Sequence, residues 1–299
     1  MATSKFLESF CSISHKIFGD VSFGCDAYVG KGMEPFIVLK TGTIVAEKHF
    51  SWSYFSSEQI GRKALEVVLS DVVVMGGTAQ YALCTLAFPS TSKDKDVLAV
   101  FEGVCLAAKD HGIKVVGGDT VETVRDFMVG ITLIGFSKEI VTKTIKTFRS
   151  GDKLYSIGSL GKSHAGLQVL QRAPEQKKHF PSCISAHLEP KAMVAEAKWL
   201  QGCDFVMAMT DNSDGLRAEI ATIKRLNKLS IDLNLDHISL EKEVEAIASL
   251  LHEDPMRYVL EGGEDFGILV GVNLEKISEF EQGFRAFFET PLIILGELV

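Results

Sequence analysis

A chain of 299 residues, 46% of them hydrophobic, is long enough to bury a large core and to divide into two domains. A net charge of -8 with no basic run excludes nucleic acid as the main partner, so an anionic ligand must be held by a local device. Six scattered cysteines (Cys11, Cys25, Cys84, Cys105, Cys183, Cys203) form no Cys-x-x-Cys pair and read as reduced residues, not as a disulfide or zinc framework. No signal-peptide pattern opens the sequence and no apolar window reaches bilayer length, which points to a soluble cytoplasmic protein with no membrane partner.

Residues 1–20 place Phe6, Phe10, Ile13 and Phe18 at roughly helical spacing. Phe23-Gly24-Cys25-Asp26 then sets an acid in a tight turn. Pro35–Lys40 is strand-like, and Thr43–Val45 continues the extended pattern beyond Thr41-Gly42. The polar and aromatic link from Lys48 to Ser57 carries His49, which on its own reads as a partly buried structural histidine. From Glu58 onward the spacing predicts a helix, because Ile60, Ala64, Val67 and Asp71 share one face. Asp71 therefore continues an apolar stripe. An unpaired carboxylate is expensive there and needs a cation, a metal or strong donors. The other reading is an aspartate at a helix break, ahead of Met75-Gly76-Gly77.

Tyr81–Phe88 predicts a strand, and Val97–His111 predicts a helix closed by Gly112. Ile113, Val115 and Val116 suit a short buried strand ending at Gly117. Gly117 and Gly118 then let the chain turn close to a ligand, with Asp119 at the tip to hold a divalent cation beside a phosphate chain. Gly-Gly-Asp is also ordinary turn chemistry. Phe127–Phe136 is a long apolar strand ending Leu133-Ile134-Gly135-Phe136. The Lys- and Thr-rich stretch 137–150 marks a boundary between domains 1–138 and 139–299.

The second half opens on a strand, Lys153–Ile157, and a loop containing Gly158, Gly161, Lys162 and Ser163. A P-loop needs glycine where Ser156 stands, so the Walker pattern fails. The loop reads as a strand-to-helix connection whose backbone can approach a ligand. Ala192–Leu200 predicts a helix, and strand Phe205–Met209 runs into Thr210-Asp211-Asn212-Ser213-Asp214-Gly215. An amphipathic helix follows through Leu216, Ile220, Ile223 and Leu226. Capping that helix needs one oxygen-bearing residue and several cluster here, where a helix N-terminus also favours phosphate. Gly262-Gly263-Glu264-Asp265 repeats the glycine-glycine-acid device before strand Gly267–Val272. Leu292–Gly296 echoes the Leu-Ile-Gly ending of the first half.

Five carboxylates thus stand at glycine-flanked strand or helix ends: Asp26, Asp71, Asp119, Asp211 and Asp214. Oxygen-only ligands suit Mg²⁺, which keeps waters and bridges to substrate phosphates. No Cys/His set suits zinc, and no Ser/His/Asp order marks acyl transfer. The residues by themselves describe a Mg-nucleotide enzyme without a P-loop.

The blocks beginning at Ile60 and running through Asp71 to Gly76, Val116–Thr120, Asp211–Leu216 and Gly262–Phe266 resemble, in the same order, those of the thiamine-monophosphate kinase family. That family belongs to the aminoimidazole-ribonucleotide-synthetase-like ATP-binding superfamily. The resemblance implies a mixed α/β fold of two domains, with a homodimer formed through the N-terminal mixed sheets. It implies ATP as co-substrate, Mg²⁺, and transfer of the γ-phosphoryl group to thiamine monophosphate. Asp26, Thr41, Asp71, Asp119, Asp211 and Asp214 match metal-binding positions, with Asp119 and Asp211 as the catalytic acids. Gly117, Gly118 and Ser213 fall at the ATP, while His49 and Glu264 match contacts to the thiamine phosphate.

The departures are local. Gly24-Cys25-Asp26 replaces Gly-Asp-Asp, and Lys40-Thr41-Gly42 replaces a Ser/Thr-Thr-Asp stretch whose carboxylate bridges two metals. Lys40 cannot ligate a metal while protonated. The family's arginine has Lys146 as its nearest match, after a one-residue shift. The family's C-terminal tail, with a Trp against the substrate, has no counterpart before Val299. A non-catalytic nucleotide-binding dimer, or a relative acting on another small phosphorylated substrate, remains the alternative reading.

Overall fold

The computed structural model describes residues 28–29, 36–137, 142–235 and 238–299. Asp26, Cys25 and the N-terminal Phe6–Phe18 pattern lie outside the described residues.

Two five-stranded sheets divide the chain. The first contains β1 (Tyr28–Val29), β2 (Phe36–Val45), β3 (Thr78–Pro89), β4 (Lys114–Thr123) and β5 (Met128–Ser137), in the spatial order β1-β2-β5-β3-β4. Its pairs are antiparallel except β3–β4, so the sheet is mixed. A parallel pair needs a crossover, and α2 (Asp94–Asp110) supplies it. The second sheet contains β6 (Asp152–Ile157), β7 (Val206–Asn212), β8 (Ile231–Leu233), β9 (Gly267–Asn273) and β10 (Leu292–Leu298). Its order is β7-β9-β6-β10-β8 and every pair is antiparallel. The two Leu-Ile-Gly segments therefore lie in β5 and β10 of sheets that differ in order and pairing.

Between the sheets runs α1 (Ser57–Val74), the helix expected from the Ile60–Asp71 stripe. Ser56 starts it with a capping box: its hydroxyl accepts from Gln59 N while the Gln59 side chain accepts from Ser56 N. The helix packs on β2 and β5, on α2, and on β7 of the second sheet. Its approach to α2 is close enough to demand small residues, since a Cβ on Gly61 would come within 1.9 Å of Val100 O. Being covered on several sides, α1 buries polar residues as well, among them Lys63, Glu66 and Ser70. One apolar cluster links Val38, Leu65 and Leu133 to Tyr155, Met209 and Phe280, so the core is continuous from one sheet to the other.

The remaining helices are α3 (Lys162–Arg172), α4 (Pro181–Leu188), α5 (Val194–Gln201), α6 (Leu216–Asn227), α7 (Lys242–Leu251), α8 (Pro255–Glu261) and α9 (Ile277–Phe287). Among the described residues no helix is long and apolar enough to cross a membrane.

The Val115–Thr120 stretch differs from its sequence reading. It is not a buried strand ending at Gly117 with Asp119 on a turn. Strand β4 runs on to Thr123, stands at the sheet edge and is largely exposed. The glycines serve strand-to-strand approach instead: a Cβ on Gly118 would meet Cys84 O at 1.7 Å. Next to them the register with β3 slips between Ala82 and Leu83.

Candidate functional site

Two groups of polar residues lie along α1, and each contains a lysine bonded to a carboxylate.

The first group surrounds a cleft of about 340 Å³ whose walls include Lys48, His49, Tyr54, Gln171, His187 and Glu264. His49 follows β2 in a turn closed by its own ring, where Nδ1 accepts from Val45 N at 3.0 Å. Burial lowers its pKa, so the ring is neutral at pH 7 and its proton sits on Nε2. Below it, the ammonium of Lys63 is wholly buried. It donates to His49 O at 2.8 Å and to Glu264 Oε2 at 2.9 Å, and lies 5.0 Å from the Phe55 ring centre.

Glu264 sits in a strained loop, with φ +66° at Glu264 and +48° at Phe266. Backbone bonds from Glu264 N to Ser213 O (2.8 Å) and from Phe266 N to Asn212 O (3.2 Å) tie this loop to the end of β7. Between them, the half-buried Asp265 accepts from Gly161 N at 2.6 Å and Ser163 N at 2.9 Å. A carboxylate of the chain thus fills the start of α3, the place the glycine-rich loop offered to a ligand. Burial pushes Asp265 up to about 7 against the pull of those two N–H groups. His187 Nδ1 comes within 3.5 Å of Glu264 Oε2, yet this is no ion pair. Burial first, then the neighbouring Lys63, pushes the ring down to about 2, so His187 stays neutral.

The second group lies where β2, α1 and β7 meet. Lys40 Nζ pairs with Asp71 Oδ1 at 2.9 Å. One residue earlier on α1, Ser70 Oγ donates to Asp211 Oδ2 at 2.9 Å. Burial raises the pKa of Asp211; bonds from Ser70 and Ser213 and the charge of Lys40 oppose that rise, and Asp214 adds to it. Lys40, Asp71, Ser70, Asp211, Ser213 and Asp214 are therefore one electrostatic neighbourhood. The Asp/Ser run does not cap α6: Gly215 holds the N-cap with φ +96° and no side chain caps it.

Other expected members stand apart. Thr41 projects from the opposite face of β2, where its hydroxyl donates to Ile131 O (3.2 Å) and accepts from Thr132 Oγ1 (3.0 Å). Asp119 is exposed on β4, three places from β2 in the sheet, and accepts from the next residue, Thr120 N, at 2.8 Å. Gly117 and Gly118 share that edge strand. Lys146 lies in the turn before β6, its N–H bonded to Thr144 Oγ1 at 3.2 Å. Gly42 shares the inward face of β2 with Lys40, and a Cβ there would lie 2.8 Å from Val68 Cγ2.

Among the described residues no three acids, histidines or cysteines gather round a point that could hold a metal. Mg²⁺ needs less than that, since one or two carboxylates and substrate phosphates suffice. The carboxylates of Asp71 and Asp211 are oxygen donors of the kind such an ion takes, with phosphate oxygens completing its shell. They do not fit a second, because position 42 lacks a carboxylate and Lys40 already neutralises Asp71.

Lys63 and His187 escaped the sequence reading. The signal for Lys63 was its place on the buried face beside Ile60 and Ala64. His187 follows the buried Cys183 by one helical turn, which is a core pattern as much as a site pattern.

Comparison with known proteins gives this architecture its class. Residues 24–137 match the model of AIR synthase related protein, N-terminal domain. Thiamine-monophosphate kinase from Bacillus subtilis is 30% identical over 288 residues, which is 93% of this chain and 85% of its own length. The crystal structure of thiamine monophosphate kinase from Aquifex aeolicus is 25% identical with a TM-score of 0.83, covering 98% of this chain and 94% of that one. A structure complexed with AMPPCP and TMP has the same fold, with a TM-score of 0.85 at 24% identity over 97% of this chain and 90% of its own. These likenesses define an AIR synthase-related α/β protein. The chain belongs to the thiamine-monophosphate kinase family.

Proposed function

We propose that the chain transfers the γ-phosphoryl group of ATP to the phosphate of thiamine monophosphate, yielding thiamine diphosphate and ADP. The observation that carries this is the cleft that His49 and Glu264 line together. Those two residues come from opposite ends of the sequence, and both match the family's substrate contacts. Thiamine monophosphate bears a cationic thiazolium, which the Glu264 carboxylate complements, and polar ring atoms that the His49 Nε2–H can meet.

ATP belongs to the neighbouring group at Asp71, Asp211, Ser213 and Asp214. Asp71 and Asp211 would hold Mg²⁺ together with the nucleotide phosphates, where it neutralises the charge that develops on them. In the transfer, an oxygen of the acceptor phosphate forms a bond to the γ-phosphorus while the bond to the β–γ bridging oxygen breaks. A phosphate with second pKa near ~6 is already ionised, so this acceptor needs no general base. The neutral His49 and His187 are consistent with that. What remains for the protein is positioning and charge compensation.

The same reading gives domains 1–138 and 139–299, supported by sheets whose strands fall within 28–137 and 152–298. It also gives a homodimer through the outer face of the first sheet. There Leu39, Tyr81, Leu83, Val116 and Val121 are exposed, and Leu39, Ile134 and Tyr81 form one cross-strand row. A cytoplasmic location accords with the use of ATP and with the four free cysteines among the described residues.

The test is thiamine diphosphate formation from thiamine monophosphate, ATP and Mg²⁺. ATP binding without product from folded protein would instead support the non-catalytic dimer.

A further inference from the structure

A lysine that only packs extends its ammonium toward water. Lys63 does the opposite: none of its side chain is exposed, and it ends against two atoms that belong to different walls of the cleft. One is the carbonyl of His49, the other Oε2 of Glu264. His187 Nδ1 approaches that same Oε2. Oε1 has no hydrogen-bond partner among the described residues, although the side chain is only 28% exposed. A carboxylate gripped by one oxygen keeps the other at a fixed place and angle. The strained backbone at Glu264 and Phe266 makes such a grip necessary, since the loop is held by specific bonds and not by a regular element.

We propose that Lys63 is a positioning residue: by holding Oε2 of Glu264 it presents Oε1 to the cleft as the acceptor for the cationic, amine-bearing rings of the substrate. The inference rests on the substrate reading above. It adds a residue that does not touch the ligand but sets its recognition, and it ties substrate affinity to a contact between α1 and the Gly262–Phe266 loop. Lys63 thus acts on the binding of the thiamine moiety and leaves the nucleotide group, at the other end of α1, unaffected.

The test is a double-mutant cycle on Lys63→Met, Glu264→Gln and the double variant. It follows Kd for thiamine monophosphate by calorimetry, Kd for ATP, and the split of KM from kcat. The expected result is a rise of at least about tenfold in Kd and KM for thiamine monophosphate in each single variant, the size of a lost charge-assisted bond. In Lys63→Met, ATP affinity should be unchanged, with the loss falling on KM more than on kcat. The double variant should be no worse than the weaker single, because both act through one carboxylate. Additive losses in the double variant would overturn the inference. So would wild-type affinity in Lys63→Met, or a matching loss of ATP affinity, which is the mark of a merely structural role. If Lys63→Met does not fold, Glu264→Gln decides with Lys63 in place, and unchanged affinity there overturns it. Failure of the wild type to bind thiamine monophosphate would overturn the substrate reading itself, and the inference with it.

Discussion

The two lysine–carboxylate pairs along α1 are similar in length and different in setting. Lys63 and Glu264 meet at 2.9 Å with the lysine fully buried, and they join the first sheet's helix to a loop of the second half. Lys40 and Asp71 also meet at 2.9 Å, but their side chains are 27% and 15% exposed, and both belong to the first half. A buried pair is rigid and costly to break on one side; a part-exposed pair is weak and can exchange partners. The first suits holding a fixed recognition surface. The second suits a place where charged phosphates and a cation come and go.

The largest effect should come from Asp211→Asn, which keeps the shape at the buried meeting of α1 and β7 but removes the charge. Turnover should fall by roughly 100-fold or more, the scale seen when a preorganised electrostatic group is lost. The fold should survive, because burial already disfavours the charged form. An Asp211→Asn enzyme with normal kcat would place the phosphates elsewhere.

Breaking the buried pair by Lys63→Ala comes next. The expected loss is about 3 kcal/mol of stability, the low end for an uncompensated buried charge because Glu264 is partly exposed, read as a lower urea midpoint. Lys40→Met tests the contrast directly. Its cost should be under about 1 kcal/mol, while the Mg²⁺ concentration needed for ATP binding changes as Asp71 is released. Equal destabilisation by the two substitutions would erase the distinction between the pairs.

Gly42→Asp sharpens it from the other side. Restoring a carboxylate beside Lys40 collides with Val68 at 2.8 Å, so the single variant should lose about 1–3 kcal/mol. Gly42→Asp with Val68→Ala relieves the contact and should bind a second divalent ion, measurable by calorimetry with ATP present.

The smallest effect is a pH slope from Asp265, whose folded pKa stands raised to about 7 from 3.8. The stability it contributes is complete below the unfolded value and disappears as pH rises through the folded one. Relative to Asp265→Asn, the wild type should therefore lose melting temperature between pH 5 and pH 8. A parallel pair of curves would contradict the assignment.

Much of this architecture is written in local patterns. The four-three-four spacing from Ile60 to Asp71 marks α1, and the apolar run Phe127–Phe136 marks β5. The strand is found within one residue of its expected limits, and the helix runs three residues beyond Asp71 to Val74. Asp71 pairs with Lys40, whose charge reaches Asp211 together with that of Asp214. Asp119 does not join them, because Gly117-Gly118 answers a steric demand from the neighbouring strand that a single sequence does not display. Lys63 was hidden for a related reason. A lysine on an apolar face is explained only by its partner, and Glu264 lies 201 residues away.

Asp265 has one more consequence. Seated on the N–H groups of Gly161 and Ser163, it is a tethered carboxyl group, present at the start of α3 at an effective concentration that no free phosphate in solution matches. The glycine-rich loop is thereby self-inhibited as an anion receptor. Sulfate or inorganic phosphate has no vacancy to enter there, and unspecific anions gain no foothold beside the substrate cleft. Phosphate groups entering the protein are sorted away from this loop before any question of affinity arises.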